Sequence, residues 1–196
     1  YTDPILAGRY SDYILEHLEK EGTLMKLEPH DFELTGQPLD APFAGRIVAF
    51  TINNIPAAMP HHGVSNADMI YEITVEGGAT RCLALFSDLT GVGPIGSVRS
   101  ARTYFISLAR CYNAVFVHSG RSDYAQPIFN SGVCDHVDAD PAIFYRDQTR
   151  LGAGYALEHT HFTNGQKALE FLSGRFNMTV EPDTGYGLGC VDEQVV

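Results

Sequence analysis

Tryptophan is absent from the 196 residues, and lysine is nearly so: apart from Lys20, Lys26 and Lys167, every permanent cation is an arginine. Arginine carries a planar, always charged fork that grips a carboxylate or phosphate through two hydrogen bonds, whereas lysine is a solvated point charge. Compositional drift gives the same bias, so it points to oxyanion capture only where the arginines converge. Other absences narrow the function further. The GxSxG, GxxxxGK[ST] and GxGxxG patterns are missing, which removes the sequence support for a hydrolase elbow, a P-loop or a dinucleotide fold. The 4 cysteines (Cys82, Cys111, Cys134 and Cys190) show no CxxC spacing, arguing against a zinc knuckle or a thioredoxin-type motif. Runs of about 18 apolar residues are lacking, and YTDPILAGRY has no charged-then-apolar signal pattern, so the stretch reads as soluble.

The net charge of −11 disfavours general nucleic-acid binding, which depends on neutralising phosphates. That charge is uneven. Residues 1–45 carry nine acids, whereas no acid lies between Asp88 and Asp123, an interval that holds Arg99, Arg102, Arg110 and Arg121. With 44% hydrophobic residues the chain can bury one sizeable core.

We expect an acidic leader over residues 1–45, with a helix in SDYILEHLEKEG and a connector rich in proline and glycine. One α/β domain is expected over 46–175, and 176–196 reads as a truncated connector toward a further domain. RIVAFTI is a first strand. MIYEITVE and RCLALFSD, separated by GGAT, form a hairpin. Alternation in its first arm puts Glu72, Thr74 and Glu76 on one face and Met69, Tyr71, Ile73 and Val75 on the other. LTGVGPIGS reads as a turn into the helix ARTYFISLARCY, with Ser100 as its cap. NAVFVHSG is a buried strand, SDYAQPIFNSG a short helix broken near Pro127, and VCDHVD and AIFYR are strands. QKALEFLSGRF is a helix capped by Thr163 or Asn164. Strands joined by both a hairpin and helices imply a mixed β-sheet with helices packed on it, an α/β fold.

In GPIGSVRSARTYF two arginines stand where a helix begins. A helix N-terminus disfavours nearby cations by a few tenths to about 1 kcal/mol each, so Arg99 and Arg102 need a negative partner. Two solutions follow. Glu72, Glu76 or Asp68 can close an internal ion-pair network, or the arginines and helix amides together can hold an anion. Arg81, just past the hairpin turn, can pair with Glu76 across the strands. His118 ends a strand, where ligands of α/β folds gather. The candidate binding residues are therefore Arg99, Arg102, Ser100, Glu72, Glu76, Arg81 and His118, with no catalytic residue assigned. His159 and His161 are two apart beside Glu158, but an isolated HxH is weak grounds for a metal, and none is expected. No cofactor is assigned. Glu72 and Glu76 are about 13 Å apart on a strand, too far for a carboxylate pair that needs about 5 to 10 Å. Ser119 cannot use His118 as a base, because adjacent strand residues point to opposite faces.

NADMIYEITVEGGATR, GSVRSARTYF and NAVFVHSG, in this order, resemble the YerB-type bacterial lipoproteins, domain of unknown function 3048, over roughly residues 46–172. Relatives more often read IGPVRSAR; here Ser97 stands where proline is common, and Pro94 lies upstream. The resemblance implies an extracytoplasmic protein, held at the membrane only through a lipid anchor outside this chain, with a second smaller domain. It supplies no activity. The leading expectation is a module that binds an anionic small molecule or cell-wall ligand. An enzyme acting on phosphorylated or glycosidic envelope material, with a pattern-level likeness to the LytR-CpsA-Psr phosphotransferases, is the alternative. A scaffold that binds a protein partner is the third reading.

Overall fold

A computed structural model describes Leu34 and residues 43–179. The expected leader helix, most of the connector and the end of the chain, with Cys190, lie outside the described residues. In chain order the elements are β1 (Val48–Asn53), β2 (Met69–Thr74), β3 (Thr80–Phe86), β4 (Pro94–Gly96), α1 (Thr103–Cys111), β5 (Val115–His118), α2 (Ala125–Asn130), β6 (His136–Asp138), β7 (Phe144–Arg146), α3 (Gln148–Gly152), β8 (His161–Asn164) and α4 (Gly165–Arg175). The strands form a five-stranded sheet in the order β2-β3-β1-β5-β6 and a three-stranded sheet in the order β4-β8-β7. β1 pairs antiparallel with β3 and parallel with β5, so the large sheet is mixed and the fold is α/β.

β1 is buried along its whole length because both faces of the large sheet are covered. Val48, Phe50 and Ile52 pack with Ile95, Phe144, Ala168 and Leu172, which bring the small sheet and α4 onto one face. Ile47, Ala49, Leu83 and Leu85 pack with Phe105, Ile106 and Ala109 of α1 and Phe129 of α2 on the other. The hairpin forms as expected, with Met69 opposite Leu85 and Thr74 opposite Thr80. As an edge strand, β2 keeps the alternation: Met69, Tyr71 and Ile73 are half-buried, and Ile70, Glu72 and Thr74 are exposed.

Several local expectations are corrected. Part of the LTGVGPIGS turn is strand β4, paired with β8. Gly96 permits this, since a Cβ there would lie 2.7 Å from the Phe162 ring. α1 begins at Thr103 with Arg102 in the cap position, and no side chain caps it; the Ser100 hydroxyl instead donates to the Ser119 carbonyl at 3.1 Å. α2 runs through Pro127, which sits in the first turn, where an amide has no intrahelical acceptor to lose. α3 was not expected from the sequence; Asp147 caps it by accepting from the Arg150 amide at 2.8 Å. Of the two candidate caps for α4, Asn164 accepts from the Lys167 amide. Cys82 and Cys134 are buried free thiols, and Cys111 is half-buried.

Candidate functional site

β1 and β5 are parallel neighbours only as far as Phe50 and Val117. Beyond that point residues 97–101 enter between their carboxyl ends. The Asn53 amide donates to the Ser97 carbonyl at 2.9 Å, and the Arg99 amide to the Thr51 carbonyl at 2.8 Å. On the other side the Ser119 amide donates to the Arg99 carbonyl and the Ala101 amide to the Gly120 carbonyl, both at 2.9 Å. Gly120 has φ +79°, and a Cβ on it would lie 2.9 Å from the Ser100 hydroxyl, so a larger residue would push the inserted segment away. The arginine motif thus occupies the carboxyl ends of the parallel strands β1 and β5, the place where α/β folds gather ligands.

The two motif arginines meet different partners. Arg102 is closed: its Nε and Nη2 donate to the two carboxylate oxygens of Glu76, each at 2.7 Å, and its Nη1 to the Ala101 carbonyl at 2.9 Å. Hydrogen bonding from Arg102 lowers the Glu76 pKa to about 2, although the carboxylate is largely exposed. Arg99 is open: its Nη1 donates to the Glu158 carbonyl at 3.0 Å, while Nη2 stops 3.9 Å from the Glu158 carboxylate. Its Nε is buried and has no hydrogen-bond partner among the described residues.

Arg81, opposite Asn53 in the β1–β3 register, donates from Nη1 to the Ser100 carbonyl at 2.6 Å rather than to Glu76. Burial first, then the positive fields of Arg102 and Arg99, lowers its pKa to about 10. Three guanidinium groups therefore act on one another, with Glu76 bound to only one of them. Glu72 is not in this group: it faces solvent and accepts from Asn54 Nδ2 at 2.8 Å. Asp68 holds the Ser87 amide at 2.6 Å. The expected pairing of the arginines with Glu72 or Asp68 is therefore corrected. β2 presents Glu72 to solvent, while Glu76 reaches Arg102 from the hairpin turn.

The family described as "Protein of unknown function (DUF3048) N-terminal domain" matches residues 34–177. The chain belongs to the DUF3048 family. It is 38% identical over 125 residues to the protein named "Putative lipoprotein YerB" from Bacillus subtilis (strain 168), covering 57% of this chain and 38% of that protein. The crystal structure of the YerB protein from Bacillus subtilis superposes with a TM-score of 0.66 at 30% identity, covering 80% of this chain and 52% of the other. The chain thus spans about half or less of each of these relatives.

In this DUF3048 domain the His118 ring is enclosed by the protein. It is fully buried, and its two ring nitrogens meet the Gly120 carbonyl at 2.8 Å and His136 Nδ1 at 3.0 Å. Stacked on Phe129 and His136, it is held neutral by burial, with its pKa lowered to about 4. Ser119 meets His161 instead: its Oγ lies 2.6 Å from His161 Nδ1. Burial, then the neighbouring Arg146, lowers the His161 pKa to about 4.

The HxH pair diverges, because His159 lies in the short turn Leu157–His159 and pairs with Asn53 Nδ2 at 3.0 Å. Among the described residues no group of three or more His, Cys, Asp or Glu side chains is arranged to hold a metal ion, and no helix is long and apolar enough to cross a membrane.

Glu158 borders Arg99, His159 pairs with Asn53, and Ser119 meets His161, roles that spacing along the chain does not reveal. The available signals were the carboxyl ends of RIVAFTI and NAVFVHSG and the EHTH stretch. Their convergence depends on pairings 106 residues apart for Asn53 and His159, and 42 apart for Ser119 and His161. Arg150 was also unforeseen. It is buried, donates to the Ala58, Pro60 and His159 carbonyls, and lies over the Tyr155 and Phe162 rings, fixing the loop that leads to His159.

Proposed function

We propose that this DUF3048 domain binds an anionic ligand of the cell envelope, carrying phosphate or carboxylate, at the carboxyl ends of β1 and β5. The observation that carries the reading is the incomplete pairing of Arg99, whose Nη2 stops 3.9 Å from the Glu158 carboxylate and whose buried Nε has no hydrogen-bond partner among the described residues. A buried Nε without a partner is costly, and a guanidinium beside two other cations gains most from an added negative charge. Arg102 and Glu76 supply a fixed wall, and Arg81 adds positive potential from a buried position. The envelope setting, outside the cytoplasmic membrane on a lipid anchor, is supported by the lipoprotein name of the Bacillus subtilis relative.

Calorimetry with phosphate and pyrophosphate at fixed ionic strength tests the reading. Saturable binding that disappears in Arg99→Ala is expected. Heats matching those of chloride, or a signal indifferent to Arg99→Ala, would overturn it.

The Ser119–His161 hydrogen bond favours one alternative, an enzyme acting on envelope esters, since a hydroxyl bonded to a neutral imidazole is the arrangement of an activated nucleophile. A fluorophosphonate probe checks it: an adduct on Ser119 that is lost in His161→Gln supports catalysis, and an unmodified Ser119 removes it.

A further inference from the structure

Beside the open arginine, one oxygen of Glu158 lies between two donors and is bonded to neither. Glu158 Oε1 is 3.9 Å from Arg99 Nη2 and 3.8 Å from His159 Nε2, each about 1 Å beyond a hydrogen bond. The histidine is buried, 5% exposed, and oriented from behind: its Nδ1 meets the Asn53 amide nitrogen at 3.0 Å. An amide NH2 can only donate, so Nδ1 accepts and Nε2 is left as the ring's donor position. Nε2 stops 3.8 Å from the Glu158 carboxylate, beyond hydrogen-bond distance. Arg99 has the complementary deficit, with Nε unpartnered and Nη2 facing the same oxygen. Two donors near a single oxygen, neither bonded to it, suit a group that presents more than one oxygen.

We infer that the ligand ends in a phosphoryl group, held with one oxygen on Arg99 and another on His159 Nε2, and that Glu158 is a tethered carboxylate which this group displaces. The inference rests on the anion-binding reading above and names its chemistry. A carboxylate brings one charge in one plane and merely duplicates what Glu158 already offers at high local concentration. A phosphomonoester or pyrophosphate end brings up to two charges and three outward oxygens, so it can reach both donors while leaving its substituent in solvent. Glu158 is well placed to yield: its side chain is 57% exposed, whereas its backbone carbonyl stays bonded to Arg99 Nη1 at 3.0 Å. The side chain can swing out without releasing the guanidinium.

The experiment compares inorganic phosphate, pyrophosphate and the dicarboxylate malonate, at equal ionic strength, on the wild-type chain, Glu158→Gln, His159→Phe and Arg99→Ala. Phosphate and pyrophosphate are expected to bind more tightly than malonate. Glu158→Gln removes the competing charge from an exposed side chain, leaves the fold intact, and is expected to tighten phosphate binding about fivefold. His159→Phe is expected to weaken phosphate more than malonate. The gain in Glu158→Gln decides the question even if the buried His159→Phe substitution unfolds the chain.

If malonate binds as well as phosphate, or Glu158→Gln leaves the affinity unchanged while Arg99→Ala abolishes it, the phosphoryl inference is overturned and the anion site stands. Absence of binding by every anion to both the wild type and Glu158→Gln overturns both. Glucose 1-phosphate, compared with phosphatidylcholine vesicles containing phosphatidic acid, separates a soluble phosphomonoester from a lipid headgroup. Binding to either supports the inference, and binding to neither while inorganic phosphate binds overturns it.

Discussion

Arg99 and Arg102 are three residues apart in one motif, carry the same charge and leave the same inserted segment, yet one is closed and the other open. Arg102 reaches out to the hairpin turn, where Glu76 fills its Nε–Nη2 edge at 2.7 Å on both sides. Arg99 turns Nη1 and Nη2 to Glu158 instead, bonding its carbonyl through Nη1 while the carboxylate remains 3.9 Å from Nη2. The difference arises in the partners' positions. Glu76 belongs to a turn held by the β2–β3 ladder, whereas Glu158 is held at Arg99 through its backbone carbonyl, which leaves its side chain free. A bidentate pair on a rigid turn serves structure, and a guanidinium held by a carbonyl keeps donors for something else.

The widest separation between the two is expected from alanine substitution. Arg99→Ala should weaken anion binding by about tenfold or more, with little change in melting temperature. Arg102→Ala should lower stability by about 1 to 2 kcal/mol, seen as a fall of a few degrees in Tm, while anion binding persists. Equal effects of both substitutions on both measurements would erase the distinction.

Glu76→Gln should convert the closed arginine into an open one. Stability is expected to drop by about 0.5 kcal/mol, and phosphate to bind more tightly in calorimetry. Acid should undo the same pair gradually. The folded Glu76 pKa lies below the unfolded value of 4.5, so its contribution is fully present above pH 4.5 and is lost as pH falls toward about 2. Because this carboxylate is largely exposed, solvent screening limits the contribution to about 0.5 kcal/mol, measurable as the difference between wild-type and Glu76→Gln denaturation curves across that window. The smallest effect is expected from Glu72→Gln: bonded to Asn54 in solvent, it should alter stability by less than about 0.5 kcal/mol and leave anion binding unchanged.

Much of the fold was legible because its signals are local. The GGAT hairpin, the NAVFVHSG strand and the asparagine cap of α4 follow from turn chemistry, apolar runs and capping geometry. β4 was not, since Pro94–Gly96 is a strand only because β8 comes alongside and Gly96 admits the Phe162 ring. At the site, the motif showed that the arginines need partners but not which acids provide them. Glu72 and Glu76 are equivalent on an alternation diagram, and only the path of the hairpin turn brings one of them to Arg102. His118 stood out by its place at a strand end, yet its ring is consumed by stacking on Phe129 and His136, a contact that sequence spacing does not encode.

The sequence by itself determined the α/β class, the family and the presence of two arginines with no acid nearby along the chain, because periodicity, turn residues and motif order are properties of short segments. Only the tertiary structure decided that Arg102 is satisfied and Arg99 is not. Hydrogen bonds form between groups within about 3 Å in space, and Glu76, Glu158, Asn53 and His159 come that close, or stop about 1 Å short, through strand order and loop path rather than sequence separation.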